Sequence, residues 1–183
     1  SFYKIRIAIW TKNNKKFNNF EYTSFVNNEI INFINKNSKN ELFYKDKNIF
    51  NWKLKYKWVI SSPLKDRLSK KYRFSSVVSN FDFYPVKLYD NKSLVTFAII
   101  RIRDNRMTVP YLYYKNDNHK DLVNIIGHLM ILLDVNSLEL YDDGLIDQLQ
   151  KSNFPFLYKT LINKEIMISK SFKNYDFSSF KIQ

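Results

Sequence analysis

The chain has 183 residues, 45% hydrophobic and 17% aromatic, which suits one globular domain, or one domain with a small extension, and excludes a disordered chain. It has no cysteine, which excludes disulfides, thiolate metal sites and a cysteine nucleophile. The net charge of +13 is concentrated early: residues 1–75 hold 17 Lys/Arg against 5 Asp/Glu, and residues 76–183 hold 13 against 12.

The opening "SFYKIRIAIW" alternates loosely over 2–10 and reads as a strand. It is too short for a signal peptide, and it lacks a Met, so the chain is expected to be an excised or processed piece of something longer. "TKNNKKFNNFEYT", 11–23, is polar and reads as a loop. "SFVNNEIINFINKN", 24–37, sets Val26, Ile30, Ile31, Phe33 and Ile34 at helical spacing, with Thr23 or Ser24 as the cap. "DKNIFNWKLKYKWV", 46–59, predicts a second helix capped by Asp46, with Ile49, Phe50, Lys53 and Leu54 on one face. Ser62 and Pro63 form an N-cap and first-position pair for a short helix over 61–72.

The pattern changes near residue 80. "DFYPVKLYD", 82–90, alternates, with Tyr84, Val86 and Leu88 on one face. "DNKS" is a turn. "LVTFAIIRIR", 94–103, is apolar on both faces in its centre, as a strand covered on both sides would be. "DNR" predicts a second tight turn, with Asn105 at positive φ. "MTVPYLYY", 107–114, completes an antiparallel meander. Its Pro110 removes a ladder donor and marks an edge or a bulge, a place where something binds. A helix follows with Asn118 as cap and Asp121 three residues on; Leu122, Ile125, Ile126, Leu129, Met130 and Leu133 form its apolar stripe. "SLELY", 137–141, is a short strand, 143–153 a shorter helix, and "FPFLYKTLI" and "KEIMISKSF" are two last strands.

Residues 1–75 are therefore expected to be a basic, mainly helical segment, and 76–183 a mixed α/β (α+β) domain. The 24 Lys against 6 Arg, with 22 Asn and two Gly, match the coding bias of an AT-rich genome. The lysines are then solvated charges, and nucleic acid is an unlikely partner, since its readers more typically bring Arg. A basic nucleic-acid-binding module stays an alternative. No apolar run approaches the ~20 residues of a membrane span. Two histidines and no cysteine give no metal site.

Glu139 and Tyr141 leave the same face of their strand near its carboxyl end, where chemistry sits in open α/β folds; a carboxylate base and a phenol acid suit acylation of an amine. Arg101 and Arg103 share a strand face, and Arg106 follows the turn, a set able to meet an anionic acceptor. His128 is structural or exposed. Gly127 allows close packing on the sheet or on a ligand.

The order strand, strand, strand, helix, strand, helix, strand, strand, preceded by helices, resembles that of the GNAT superfamily of acyltransferases. "FNWKLKYKWV", "YRFSSVVSNFDFYPVKLYD", "MTVPYLYY" and "FLYKTLINKEIMISKS" look like the C-terminal half of bacterial GNAT-family proteins, which places an upstream GNAT-like domain beside this one. The resemblance implies a sheet with helices on both faces and a strand–helix–strand crossover whose parallel strands splay. It implies a pantetheine arm in the gap, and a pyrophosphate at the helix N-terminus. Val109 and Tyr111 would flank the arm, and Lys115, His119 and Lys120 would face the phosphates of acetyl-CoA. The implied activity is transfer of acetyl to a small-molecule amine; the absence of cysteine suits a cytoplasmic protein and a direct transfer without a covalent enzyme intermediate. The family's Gln/Arg-x-x-Gly-x-Gly/Ala loop is matched here by "YKNDNHKD", which has no glycine and carries Asp117. Its general-acid tyrosine has no match in "DGLIDQLQKSN". Weak donor binding is expected, and a non-catalytic acceptor-recognition or scaffold domain is the alternative.

Overall fold

A computed structural model describes residues 2–13, 20–38, 45–57, 59, 78, 80–115 and 119–160. In chain order these form α1 (Phe2–Asn13), β1 (Phe20–Tyr22), α2 (Asn28–Asn37), α3 (Lys47–Lys55), β2 (Phe81–Asp90), β3 (Ser93–Arg103), β4 (Arg106–Tyr114), α4 (Lys120–Leu132), β5 (Ser137–Glu139) and α5 (Asp143–Lys151). The strands make one five-stranded sheet in the order β1-β2-β3-β4-β5. Pairing is antiparallel from β1 through β4, and β5 runs parallel to β4. The fold is α+β, built on a mixed sheet.

Each face of the sheet has its own core. On one, Val86, Ala98, Ile100, Met107 and Leu112 pack with α1, α4 and α5 through Ile7, Trp10, Ile126 and Leu145. On the other, Leu94, Phe97, Ile99 and Tyr113 pack with Ile30 and Ile34 of α2 and Phe50 of α3. β3 lies between these layers, and Phe97–Ile100 are all buried. That is why its centre reads as apolar at every position.

Local chemistry sets most boundaries. Asp46 accepts from the Ile49 N–H at 2.8 Å and starts α3 as expected. Asp142 accepts from the Leu145 N–H at 2.9 Å and starts α5. The cap of α2 is Asn27, which accepts from the Ile30 N–H at 2.9 Å; the expected Thr23 and Ser24 lie upstream of it. Asn91 and Lys92 both take positive φ, 45° and 67°, the two-residue turn whose twist suits a hairpin. In the next turn Asp104, at φ 53°, takes the left-handed position expected for Asn105.

Residues 2–10 are helical and not a strand. Ile5 and Ile9 are exposed, while Ile7 and Trp10 reach the core. The alternating β-branched residues suggest a strand, but the spacing of Ile7, Trp10 and Thr11 also fits one helix face, and packing on α4 decides between them. The expected loop over 11–23 instead supplies the end of α1 and the edge strand β1, with 14–19 outside the described residues. Residues 154–160 form no strand. Asn153 turns the chain at φ 51°, Pro155 has no N–H to give a ladder, and Phe154 is buried against Trp10. The expected helix over 61–72, the Asn118 cap and the last strand lie outside the described residues. No helix among the described residues is long and apolar enough to cross a membrane.

Candidate functional site

The site begins with an irregularity in β4. Ile99 pairs with Tyr111, and Arg101 with Thr108, so two steps on β3 oppose three on β4. The extra residue is a β-bulge at Val109–Pro110. Facing changes across it: Met107 and Val109 belong to the core under α4, and beyond the bulge it is Leu112 that does, while Tyr111 and Tyr113 pack under α2 and α3. Pro110 fits here because a bulge asks for no ladder donor from it.

β5 stops where the bulge starts. It pairs with β4 only through Arg106↔Ser137, Met107↔Leu138 and Thr108↔Glu139. The chain then leaves the sheet into α5, and the β4 edge from Val109 onward has no strand on that side among the described residues. Val109 is buried beside this opening, and Tyr111 is half-buried.

Glu139 and Tyr141 meet at the mouth of the opening. The Tyr141 hydroxyl donates to Glu139 Oε1, and Arg106 Nη1 lies 3.6 Å from Glu139 Oε2. Leu138 and Leu140 pack into the α4–α5 core, so Glu139 and Tyr141 project from the opposite face. The Glu139 side chain is 19% exposed, and Tyr141 is open to solvent.

The other end of the opening is the start of α4. Lys115 and Lys120 are exposed there, with the Lys115 N–H bonded to the Val95 carbonyl at 2.9 Å. His119 is the N-cap of α4 but gives it no side-chain cap bond. Its ring is fully buried, edge-on to Tyr114 at 4.4 Å, with Nε2 3.8 Å from Asp142 Oδ1. A phosphate near this helix would therefore meet exposed lysines and backbone before this imidazole. Asp121 follows in the first turn. Partial desolvation of its carboxyl, with help from Asp90 and against Lys120, raises its pKa above the usual carboxylate range.

A cleft opens on the α2–α3 face beside the bulge. It has a volume of ≈ 290 Å³ and lies between α3 and the sheet, reaching Pro110, Tyr111 and Arg101. Lys53 donates to the Tyr111 hydroxyl at 2.6 Å, and Lys45 and Lys53 stand over the Tyr111 ring at 5.4 and 5.1 Å. Sequence reasoning places Lys53 on a helix face and misses its partner, 58 residues away. Of the three arginines, Arg101 lines this cleft, whereas Arg106 turns to Glu139. His128 is exposed, and Gly127 packs against α1. Among the described residues no group of three or more His, Asp or Glu is placed to hold a metal ion.

No family model matches the chain, and no curated protein or solved structure matches it.

Proposed function

We propose that this chain is a GNAT-type acyltransferase domain that moves an acetyl group from acetyl-CoA to a small amine. One observation carries the reading. The parallel β4–β5 pair closes over three residues and then opens at a bulge, beside a helix N-terminus and a carboxylate–phenol pair. An extended thioester arm in that opening would lie beside β4 at Val109, where β5 has left the sheet, as an added strand would.

The chemistry assigned to the pair is balanced. Glu139 takes a proton from the acceptor ammonium, and the freed amine attacks the thioester carbonyl. The C–N bond forms, the tetrahedral intermediate collapses, and the C–S bond breaks. Tyr141 gives its proton to the departing thiolate, Glu139 returns the proton it took to the phenolate, and the second proton of the attacking nitrogen passes to solvent. Arg106 Nη1, 3.6 Å from Glu139 Oε2, helps to hold the carboxylate in place.

The absence of cysteine makes the test clean, because a thiol reagent detects only coenzyme A released from the donor. Amine-dependent thiol release at millimolar acetyl-CoA, lost in Glu139→Gln and reduced in Tyr141→Phe, is the expected result. Release that does not depend on any of a panel of amino acids, polyamines and amino sugars, or an undiminished rate in Glu139→Gln, would refute it.

A second reading, a recognition or scaffold domain beside a catalytic one, is favoured by the donor loop. It has no glycine between Lys115 and Lys120, and the His119 ring is buried away from solvent.

A further inference from the structure

We infer that the cleft between α3 and the sheet binds a small ligand made of an aromatic or apolar body and an anionic headgroup, a carboxylate or a phosphate. Its volume, ≈ 290 Å³, is at the small end of ordinary ligand pockets, roughly 300–1,000 Å³, and so takes one small molecule. Apart from two cations, its walls are mostly apolar or aromatic: Phe50, Trp52, Tyr56 and Tyr111 among them. Trp52 is 60% exposed and Tyr56 53%, a costly placement for two large rings unless something covers them. Their rings lie 6.1 Å apart at 45°.

The two cations are Lys53 and Arg101, and no carboxylate among the described residues lines the cleft. Arg101 is held from behind. Its Nε–H donates to Thr108 Oγ1 at 3.0 Å, and Thr108 is buried. This fixes the guanidinium through one of its five N–H groups and leaves its others to meet a ligand. Among the described residues neither Arg101 nor Lys53 forms an ion pair. Two positive groups facing an apolar cavity, with no counter-charge among the described residues that line it, make an anion the natural complement, and the planar fork of Arg101 suits a two-oxygen headgroup.

The cleft is also placed to serve the opening in the sheet. Arg101, Thr108 and Glu139 lie in register across β3, β4 and β5 and share one face. Adjacent strands are about 4.8 Å apart, so Arg101 sits roughly 10 Å along the sheet from Glu139. On the acyl-transfer reading, the ligand is then the acceptor, held by its acid and presenting its amine toward Glu139. Only the name acceptor rests on that reading; the binding itself does not.

The test is titration calorimetry of the chain, without acetyl-CoA, against phenylacetate, phenyl phosphate and the neutral phenylacetamide. One of the anions should bind at least about tenfold more tightly than the amide, the factor a charge-assisted hydrogen bond supplies. The tighter of the two identifies the headgroup. Arg101→Gln and Lys53→Gln should each weaken the anion several-fold and leave the amide unchanged, with circular dichroism confirming that both variants fold. Equal affinity for acid and amide, no heat from either anion up to about 10 mM, or variants that bind like the parent would overturn the inference. Anion binding without acetyl transfer would sustain it while refuting the acyl-transfer reading. Acetyl transfer without anion binding would do the reverse.

Discussion

Replacing Gly127 with Ala tests the packing of α1 on α4. Gly127 is inside α4, where a glycine ordinarily costs about 1 kcal/mol relative to alanine, so the substitution should stabilise an isolated helix by that amount. In the folded protein a Cβ at this position would fall 2.9 Å from Trp10 Cζ3, 3.4 Å from Trp10 Cε3 and 3.3 Å from Phe154 Cε2. The Trp10 ring cannot easily yield. It is 9% exposed, its indole N–H donates to the Ser152 carbonyl at 2.9 Å, and the Phe154 ring packs against it, tilted, at 4.8 Å. Overpacking of this kind costs about 1–3 kcal/mol. The net expectation is a loss of about 1 kcal/mol, after the helix-propensity gain is set against the clash. Urea denaturation followed by circular dichroism should show a midpoint lower by about 0.5 M, taking a slope near 2 kcal/mol per M. In a Trp10→Leu background the same substitution should become neutral or stabilising, because the closest ring atom, Trp10 Cζ3, is gone, and Cε3 with it. The coupling between the two sites should be about 1–3 kcal/mol. A Gly127→Ala protein that is more stable than the parent while Trp10 is present would refute the contact, and with it the placement of α1.

Lys92→Gly should stabilise the protein by about 0.5–1 kcal/mol, since Lys92 sits at φ 67° in the β2–β3 turn, where a side chain is strained; thermal melting that shows no gain would count against that turn. Lys87 is paired across strands with Glu21 at 2.7 Å and bonds to the Tyr89 hydroxyl at 2.9 Å. Burial is the largest influence on its pKa and lowers it, but the bonds and charges of Glu21 and Tyr89 together outweigh burial and raise it above the ordinary 10.5. Its stabilising effect is therefore full below about pH 10.5 and lost as pH rises through the folded value, so the stability advantage over Lys87→Met should shrink in that window; a gap that is constant from pH 8 to 11.5 would contradict this. On the acyl-transfer reading acetyl-CoA should bind the chain weakly, and Asp117→Gly should tighten it several-fold by removing a like charge and giving the chain a glycine's backbone freedom; sub-micromolar binding by the parent would move the catalytic reading well ahead of the scaffold reading.

The parts of the fold legible in the sequence are those whose signal is local and repeated. The apolar stripe of α4, the two-faced centre of β3 and the Asp46 cap each follow from residues within a few positions of one another. The parallel β4–β5 pair is legible too, because a strand–helix–strand unit of this length closes in one hand. Pro110 flagged the bulge, since a proline within a strand has few places to go. The failures have the opposite character. In α1 the isoleucines at 5, 7 and 9 suit a strand while Ile7, Trp10 and Thr11 suit a helix face, and packing on α4, with Trp10 against Gly127, decides between them. The cleft depends on Lys53 and Tyr111 meeting across the sheet–helix interface, and nothing near either residue announces the other. The pairing of Glu139 with Tyr141 was readable from their spacing of two, but the nearby Arg106 was not, because it comes from the neighbouring strand.

The use of glycine links these features. The chain has two, and neither occupies a turn; among the described residues the positive-φ positions go to Asn91, Lys92, Asp104, Asp134 and Asn153. Both glycines instead lie in helices where another ring comes too close for a Cβ. Gly127 admits Trp10, and Gly144 admits His119, whose Nε2 would lie 2.8 Å from an added Cβ. The second contact bears on the proposed donor site. A glycine-rich loop leaves the backbone free to fold around a pyrophosphate. Here the residue that opens α4 is fixed by its side chain, wedged between Tyr114 at the end of β4 and Gly144 at the start of α5. The helix N-terminus is thus held by packing from two neighbouring elements. On the acyl-transfer reading, a phosphate at this N-terminus would meet an end braced by α5, and the glycine that bears on the proposed donor site is 24 residues past Lys120, in another helix.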